Sequence, residues 1–263
     1  MFKKLSIFFI YSVILSLIIA SNNTLGYCYT CEETKNYRAH IVAINPDIYT
    51  LEIVKAKNII NLWSRETVDH IARRTHASIA INGGFFQYNG KPSGTLLINN
   101  TLYHRDVRKH TVIGKTIHEN INITTINPTQ LLYPYVSCVQ GIPRLLENGQ
   151  IPLYTQKQTS SFYTKPHART ALGIKADGTI VIVVVEHKNT FSQGGCTIME
   201  LATIMKNKEC QSALNLDGGG SSTLWIEGAT VSKNKEKEPL LMLFGFERWV
   251  SDAIIFIPKI KIQ

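Results

Sequence analysis

The stretch "SALNLDGGGSST" (residues 212–223) contains the strongest structural signal in the chain. Its first five residues are typical of a buried strand, and the strand stops at Asp217. Three glycines and then Ser221 and Ser222 follow. Consecutive glycines leave backbone N–H groups uncovered, so an anion or a sugar can approach them closely. In the alternative interpretation, Asp217 only caps the following turn through its side chain.

A second glycine turn, "INGGFF" (residues 81–86), also follows an apolar strand. Asn82 and Asp217 are thus polar residues at the ends of two strands that otherwise look buried. A buried polar group without a partner costs about 1–3 kcal/mol, so each of them is expected to have a local partner or a ligand. Neither turn has the G-x-x-x-x-G-K-[ST] or G-x-G-x-x-G spacing of nucleotide-binding loops.

The remaining pattern is rich in strands and has few helices. Nine strand-like runs cover residues 39–44, 50–56, 77–83, 94–99, 171–176, 179–186, 212–216, 222–228 and 252–257. Asp177 and Gly178 suit a tight hairpin turn between two of them. Helices are predicted at 67–75 and at 197–208, where "TIME" has the T-x-x-E spacing of a capping box. The sequence predicts an α+β fold, a single domain with a mixed, mainly antiparallel sheet and a few packed helices.

The first 26 residues are predicted to be a signal peptide. Lys3 and Lys4 precede an apolar run of 16 residues (5–20), with residues 27–263 forming the domain. A retained membrane anchor is the alternative, and it would be the only membrane contact. We therefore expect an exported protein that is periplasmic, secreted or associated with the envelope.

The charge and the cysteines limit the function classes. The formal charge of +9 becomes +7 (9 − 2) without Lys3 and Lys4, which suits anionic substrates or surfaces. The chain has no zinc finger or basic-aromatic stripe, so no nucleic-acid partner is expected. Five cysteines allow two disulfides and one free thiol, with a short Cys28–Cys31 bridge or pairs to distant cysteines as the expectation for the CxxC.

Six motifs resemble the phosphodiester glycosidase family, in the family's order and over almost the whole chain after residue 26. They are "AINGGFFQYNGKPSG" (80–94), "QGIPRLLENGQ" (140–150), "HARTALGIKADG" (167–178), "IVIVVVE" (180–186), "GCTIMELATIMKNKECQSALNLDGGGSSTLW" (195–225) and "ERWVSDAI" (247–254). The resemblance implies hydrolysis of the bond between a sugar anomeric carbon and a phosphodiester, with α-N-acetylglucosamine or a similar sugar.

The chain departs from the family pattern at three places. The family usually has a glycine-rich run where this chain has "QGIP" (140–143), and a proline where it has Ala168. It also usually has Asp-Gly where this chain has Glu186 and His187. The third departure keeps a carboxylate at this position, on a longer arm.

Two carboxylates are the catalytic candidates. Glycosidases commonly use a pair of carboxylates around an oxocarbenium-like transition state. Asp217 is the candidate nucleophile, base or electrostatic stabiliser, and Glu186 at the end of an apolar strand is the second carboxylate. Arg169 is expected to hold phosphate oxygens with its planar fork, and His167 to donate to the same group.

The remaining candidates are expected to bind the substrate. Asn82, with the backbone of Gly83 and Gly84, would hold sugar hydroxyls, and Phe85 and Phe86 would pack on the ring, one of them being core. The other binding candidates are Gly218, Gly219, Gly220, Ser221 and Ser222.

Two rival functions remain open beside a hydrolase of sugar phosphodiesters. The first is a non-catalytic carbohydrate-binding protein of envelope or exopolysaccharide assembly on the same scaffold. The second is a metal-dependent phosphodiesterase, which the spacing of the eight histidines does not favour. No cofactor and no metal site are expected, and the substrate is a sugar phosphodiester or a polysaccharide.

Overall fold

The computed structural model describes residues 26–57, 65–187, 194–232 and 247–259. The signal-peptide prediction therefore lies outside the described residues, apart from Gly26. None of the described helices is long and apolar enough to cross a membrane.

The described part of the chain contains sixteen strands and four helices. The strands are β1 (Tyr27–Glu33), β2 (Tyr37–Ile44), β3 (Tyr49–Lys55), β4 (Ile79–Asn82), β5 (Leu96–Ile98), β6 (Thr101–His104), β7 (His110–Thr116), β8 (Ile121–Ile126), β9 (Tyr135–Gly141), β10 (Arg144–Leu146), β11 (Arg169–Lys175), β12 (Ile180–His187), β13 (Cys210–Asn215), β14 (Leu224–Ile226), β15 (Ala229–Thr230) and β16 (Asp252–Pro258). The helices are α1 (Val68–Thr75), α2 (Leu153–Gln156), α3 (Ser161–Thr164) and α4 (Ile198–Asn207).

Three sheets organise these strands. One has the order β1-β2-β12-β11-β13-β10, the second β15-β14-β4-β16-β3, and the third β6-β5-β9-β7-β8. The α+β prediction is confirmed. Every pairing between the described strands is antiparallel, so no parallel pair accompanies the expected antiparallel ones.

The central core lies where the three sheets meet. It combines Ile182 of the first sheet, Ile79 and Phe256 of the second, and Ile113 and Val139 of the third. The other face of the first sheet is covered by α4, and α1 packs on the second sheet. Alternate residues of β11 and β12 therefore face different layers, which decides where their polar side chains point.

Local signals fix the two longer helices and the central hairpin. Thr197 and Glu200 form the predicted capping box of α4. Thr67 caps α1 by accepting a hydrogen bond from the His70 amide (3.2 Å). Asp177 accepts from the Thr179 amide (2.9 Å) at the predicted turn between β11 and β12.

Each of the nine predicted runs contains or overlaps a strand, whereas seven strands were not predicted. β7 illustrates the reason, because all of it is buried although it contains histidine, threonine and lysine. Lys115 is tolerated there because its Nζ lies 2.5 Å from the Glu52 carboxylate of another sheet. The sequence alone does not show that Glu52 is the partner of Lys115, because the two residues lie in different sheets.

Neither of the two expected arrangements, a short Cys28–Cys31 disulfide or pairs to distant cysteines, is present. Both residues lie in β1, and all five cysteines are unpaired. Residues three apart along a strand are separated by about 10 Å and point to opposite faces. A disulfide needs Cα atoms about 4.4–6.8 Å apart.

Candidate active site

Asp217 follows β13 at a point where the two glycine turns meet. Its amide donates to the Gly83 carbonyl (3.2 Å), and its carbonyl accepts from Asn82 Nδ2 (2.8 Å). The preceding amide, that of Leu216, donates to the Thr170 carbonyl (2.8 Å). The backbone of Asp217 is therefore held on both sides by rigid strand ends.

The Asp217 side chain is half-buried and lies at a cavity of about 460 Å³. The cavity is lined by Arg65, Phe86, Gln87, Tyr88, Asp217, Arg248 and Trp249. Burial raises the pKa of Asp217 to about 6, and the charge of Asp252 adds to the rise. The neighbouring Ser221, the Gly218 amide (2.9 Å from Oδ1) and the Arg248 charge oppose it.

Arg248 contacts the glycine loop from across the cavity. A methyl group at Gly220 would lie 3.3 Å from Arg248 Nε and 3.4 Å from Cζ, so the bare backbone lets the guanidinium come close. The cavity thus holds a carboxylate and a guanidinium near each other. Arg248 is not among the predicted site residues, although the motif "ERWVSDAI" (247–254) places this charged residue shortly before a buried strand.

Asp252 is the second buried carboxylate, also missed by the sequence analysis. It begins β16, and its oxygens accept from the Gly84 amide (2.8 Å) and the Ser251 hydroxyl (2.5 Å). Burial raises its pKa to about 6, against the effect of these two bonds. An acid at the start of the apolar run "AIIFI" (253–257) was the available signal.

Gly83 and Gly84 use their backbone amides within the protein, and their contact with a ligand stays a prediction. Both are buried, and their amides donate to the Asp252 carbonyl (3.0 Å) and carboxylate rather than to a ligand. A methyl group at Gly83 would lie 1.9 Å from Asp252 Oδ1. Glycine is needed there for close approach within the protein.

Asn82 makes its side-chain hydrogen bonds within the protein, and its sugar contact stays a prediction. Its side chain is buried, and besides its bond to Asp217 its Oδ1 accepts from Thr170 Oγ1 (2.8 Å) and the Thr223 amide (3.2 Å). The amide group thus ties three chain segments together. Asn82 positions the loop of Asp217 instead of reaching the cavity.

Arg169 does not reach the cavity either, because it points to the opposite layer of the first sheet. It is 2% exposed, its Nη2 donates to the Phe162 carbonyl (2.6 Å), and its Nε donates to the Cys196 carbonyl (3.3 Å). Its guanidinium also lies 4.9 Å from the Phe162 ring centroid. This packing between β11 and the helices gives Arg169 a structural role, and its phosphate contact stays a prediction.

Glu186 and His167 are likewise outside the lining of the Asp217 cavity. Glu186 is 2% exposed, and it pairs with Arg38 Nη1 (2.8 Å) and His40 Nε2 (3.4 Å) across the β2–β12 ladder. His167 is half-buried and exchanges two backbone hydrogen bonds with Cys196. Within the described residues, Asp217 lines this cavity and Glu186 does not.

The two phenylalanines divide between the cavity and the helical layer. Phe86 lines the cavity and packs against the core under α1. Phe85 is half-buried, with its ring centroid 6.2 Å from that of Phe162.

The glycines of the loop remain partly accessible, whereas its serines are buried. Gly218, Gly219 and Gly220 are half-buried, and the Gly219 amide donates to the Ala168 carbonyl (2.8 Å). Ser221 lies beside the Asp217 carboxylate without completing a hydrogen bond of good geometry. The buried Ser222 hydroxyl has no hydrogen-bond partner within the described ranges.

Among the described side chains, no three His, Cys, Asp or Glu residues are grouped in a way that would hold a metal ion.

Comparison with known proteins identifies one protein family for this chain. A phosphodiester glycosidase family model matches residues 75–257. The chain is 28% identical over 193 residues to human N-acetylglucosamine-1-phosphodiester alpha-N-acetylglucosaminidase, a match that covers 64% of this chain and 35% of that protein. It is 25% identical over 198 residues to the SPbeta prophage-derived uncharacterized protein YomE of Bacillus subtilis, covering 73% and 29%. The chain therefore spans about a third of the length of these curated relatives.

The fold is also similar to a solved structure. The catalytic domain of zebrafish N-acetylglucosamine-1-phosphodiester alpha-N-acetylglucosaminidase superposes with a TM-score of 0.74. That match covers 89% of this chain and 83% of the other, at 19% identity. At that identity the likeness shows the fold alone.

Proposed function

The chain belongs to the phosphodiester glycosidase family, and we propose that it hydrolyses the bond between a sugar anomeric carbon and a phosphodiester. The sugar in this proposal is α-N-acetylglucosamine or a close analogue. Asp217 is the catalytic carboxylate, and Arg248 binds the phosphate. The observation that carries the proposal is the shared cavity, in which a half-buried carboxylate and a guanidinium lie beside the same glycine loop.

The size and lining of the cavity suit a sugar. Its volume of about 460 Å³ lies within the roughly 300–1,000 Å³ of small-ligand sites. Tyr88 is 91% exposed and Trp249 is 48% exposed at its edge, beside Phe86. Such aromatic faces pack on the apolar face of a sugar ring.

In the proposed reaction, the bond between the anomeric carbon and the phosphate oxygen breaks, and its electron pair stays on that oxygen. Asp217 faces the positive charge that develops on the sugar, as nucleophile, base or electrostatic stabiliser. Water supplies the new hydroxyl on the anomeric carbon, and its proton is released. Arg248 stabilises the departing phosphate through charge-assisted hydrogen bonds.

A phosphate leaving group removes the need for a strong general acid. The departing oxygen is already stabilised by the phosphate and, in this proposal, by the Arg248 charge. One ionised carboxylate can then suffice. This agrees with the position of Glu186 in an ion pair outside the cavity lining.

Ionised Asp217 is the active form in this proposal. With a pKa of about 6, the carboxylate is mostly charged at pH 7 and mostly neutral at pH 5. Activity should therefore fall as the pH drops through about 6. The raised pKa also keeps the carboxylate basic enough to accept a proton from water.

Export belongs to the same proposal, and it is supported by the basic start and the apolar run of residues 5–20. Mass spectrometry of the protein from its own host should find a mature chain that starts near residue 27. A soluble cytoplasmic chain that retains Met1 would contradict export.

The activity can be tested with a chromogenic α-N-acetylglucosamine phosphodiester, comparing the wild type, Asp217→Asn and Asp177→Asn. Asp177 is an exposed turn residue that asparagine replaces well before a glycine, so it is the matched control. We expect turnover in the wild type and the control and loss in Asp217→Asn. Binding without turnover would favour the carbohydrate-binding alternative. Turnover abolished by a chelator and restored by a metal would favour the metal-dependent phosphodiesterase.

A further inference from the structure

A second cavity, of about 600 Å³, lies outside the Asp217 site and shares no lining residue with it. This open cavity is bounded by the loop before β7, the β9–β10 turn and the two short helices. Its lining consists of Asp106, Arg108, Lys109, His110, Thr111, Thr125, Asn127, Gln140, Gly141, Ile142, Pro143, Arg144, Glu147, Tyr154 and Tyr163. We call it the basic cavity.

Two arginines of the basic cavity are held in place by carboxylates. Arg108 forms a two-pronged pair with Asp106 (Nε–Oδ1 3.0 Å, Nη2–Oδ2 2.9 Å). Arg144 pairs through Nη1 with Glu147 (2.7 Å), and its Nε donates to the Leu146 carbonyl (3.2 Å). The side chains are thereby oriented before any ligand arrives.

Each arginine keeps a donor for a ligand. Arg108 Nη1 and Arg144 Nη2 make no hydrogen bond to any described residue, and Lys109 makes no ion pair within the same ranges. Since each arginine already has a carboxylate partner, Lys109 gives the cavity a net positive charge. The remaining guanidinium N–H groups are held at fixed positions and can donate charge-assisted hydrogen bonds to the oxygens of a phosphate.

Aromatic and apolar surfaces complete the basic cavity. Tyr154 is 52% exposed and Ile142 is 50% exposed, and the half-buried Tyr163 is a further wall. A tyrosine face beside fixed cations suits the apolar face of a sugar that carries an anionic group. A site for a simple anion such as inorganic phosphate would not need these rings.

We propose that the basic cavity is a second binding site, for a phosphate-bearing saccharide. Arg144, Arg108 and Lys109 bind the phosphate, and Tyr154 packs on the sugar ring. The volume lies within the roughly 300–1,000 Å³ of small-ligand sites. Binding here requires no hydrolysis at Asp217, so the proposal goes beyond the proposed function and is tested separately from it.

The test is calorimetric titration with glucose 6-phosphate, inorganic phosphate and glucose. All variants carry Arg248→Gln, which removes the phosphate-binding cation of the Asp217 cavity. The probe variants are Lys109→Gln, Arg144→Gln and Tyr154→Ala. Lys35→Gln is the control, because Lys35 is exposed in the β1–β2 turn and lines neither cavity.

We expect the Arg248→Gln protein and its Lys35→Gln derivative to bind glucose 6-phosphate equally, and glucose much more weakly. Lys109→Gln and Arg144→Gln should each weaken binding by about tenfold, because each removes one charge-assisted contact. Tyr154→Ala should weaken binding of glucose 6-phosphate by about three- to tenfold while leaving inorganic phosphate unchanged.

Two results would overturn the proposal. One is the absence of binding in the Arg248→Gln background. The other is binding that Lys109→Gln and Tyr154→Ala both leave unchanged. Lys109 makes no ion pair among the described residues and Tyr154 is half-exposed, so neither variant depends on the fold tolerating a lost contact.

Discussion

Asp217 and Asp252 are joined by the turn at Gly83 and Gly84. The Gly83 carbonyl accepts from the Asp217 amide (3.2 Å), and the Gly84 amide donates to the Asp252 carboxylate (2.8 Å). The pKa of each carboxyl is raised to about 6, mainly by burial, and the charge of Asp252 contributes to the rise at Asp217. Asp252 therefore affects the ionisation of Asp217 without lining its cavity.

This relationship predicts the effect of Asp252→Asn on the pH dependence of activity. Removing the Asp252 charge should lower the pKa of Asp217, so the acidic limb of the kcat/KM profile should move to lower pH. The profile is measured between pH 4 and 8, with Asp177→Asn as control. If the acidic limb of the kcat/KM profile does not shift and the Tm is unchanged, the two carboxylates are not coupled.

Asp217→Asn should remove catalysis with little effect on the fold. The barrier should rise by on the order of 3–5 kcal/mol, because the charge opposite the developing cation is lost while the size of the side chain is kept. Single-turnover kinetics on the phosphodiester measure this loss. An active, normally stable variant would leave Asp217 as a turn residue.

Asp217→Asn should also change how stability depends on pH. The pKa of Asp217 is about 6 in the folded protein and lower in the unfolded chain, so the folded state binds more protons between about pH 4 and 6. Its contribution to stability is present at low pH and is lost as the pH rises through about 6. The Asn variant should therefore gain Tm relative to wild type at pH 7–8, with the gain shrinking towards pH 4. An equal difference at both pH values would contradict the raised pKa.

Arg248→Lys and Arg169→Lys should separate phosphate binding from structure. Arg248→Lys loses the planar fork in the cavity, so KM should rise for the phosphodiester far more than for a simple α-glycoside.

Arg169→Lys should instead lower the free energy of unfolding by about 1–3 kcal/mol, because buried backbone carbonyls lose donors. Kinetics on both substrates and thermal unfolding test the pair. A selective phosphodiester defect in a stable Arg169→Lys protein would support the predicted phosphate contact of Arg169.

Gly83→Ala should impair folding, whereas Gly220→Ala should impair substrate binding. A methyl group at Gly83 would lie 1.9 Å from a buried carboxylate oxygen, so this variant should lose several kcal/mol of stability or fail to fold. At Gly220 the methyl group would meet the Arg248 guanidinium at 3.3–3.4 Å, and that side chain can move. The Gly220 variant should fold and bind the phosphodiester more weakly. Unchanged KM in Gly220→Ala would argue against the position assigned to Arg248.

The sequence by itself determined the features that depend on neighbouring residues. The capping box at Thr197, the turn at Asp177 and the end of a buried strand at Asp217 follow from local hydrogen bonding and from the period of the apolar residues. The order of six motifs, with the glycine loop among them, was enough to identify the family.

Only the tertiary structure decided which distant groups meet at Asp217. Arg248 and Asp252 come more than thirty residues later in the chain, and no local pattern indicates that they contact Gly220 and Gly83. Arg169 looked equally suitable from its residue type, but the alternation along β11 turns it towards the helical layer, where backbone carbonyls hold its guanidinium. The chemistry of a side chain can be read from the sequence, whereas its partners are set by the packing of the three sheets. A buried polar group needs a hydrogen-bond partner, and the fold determines which groups are near enough to serve.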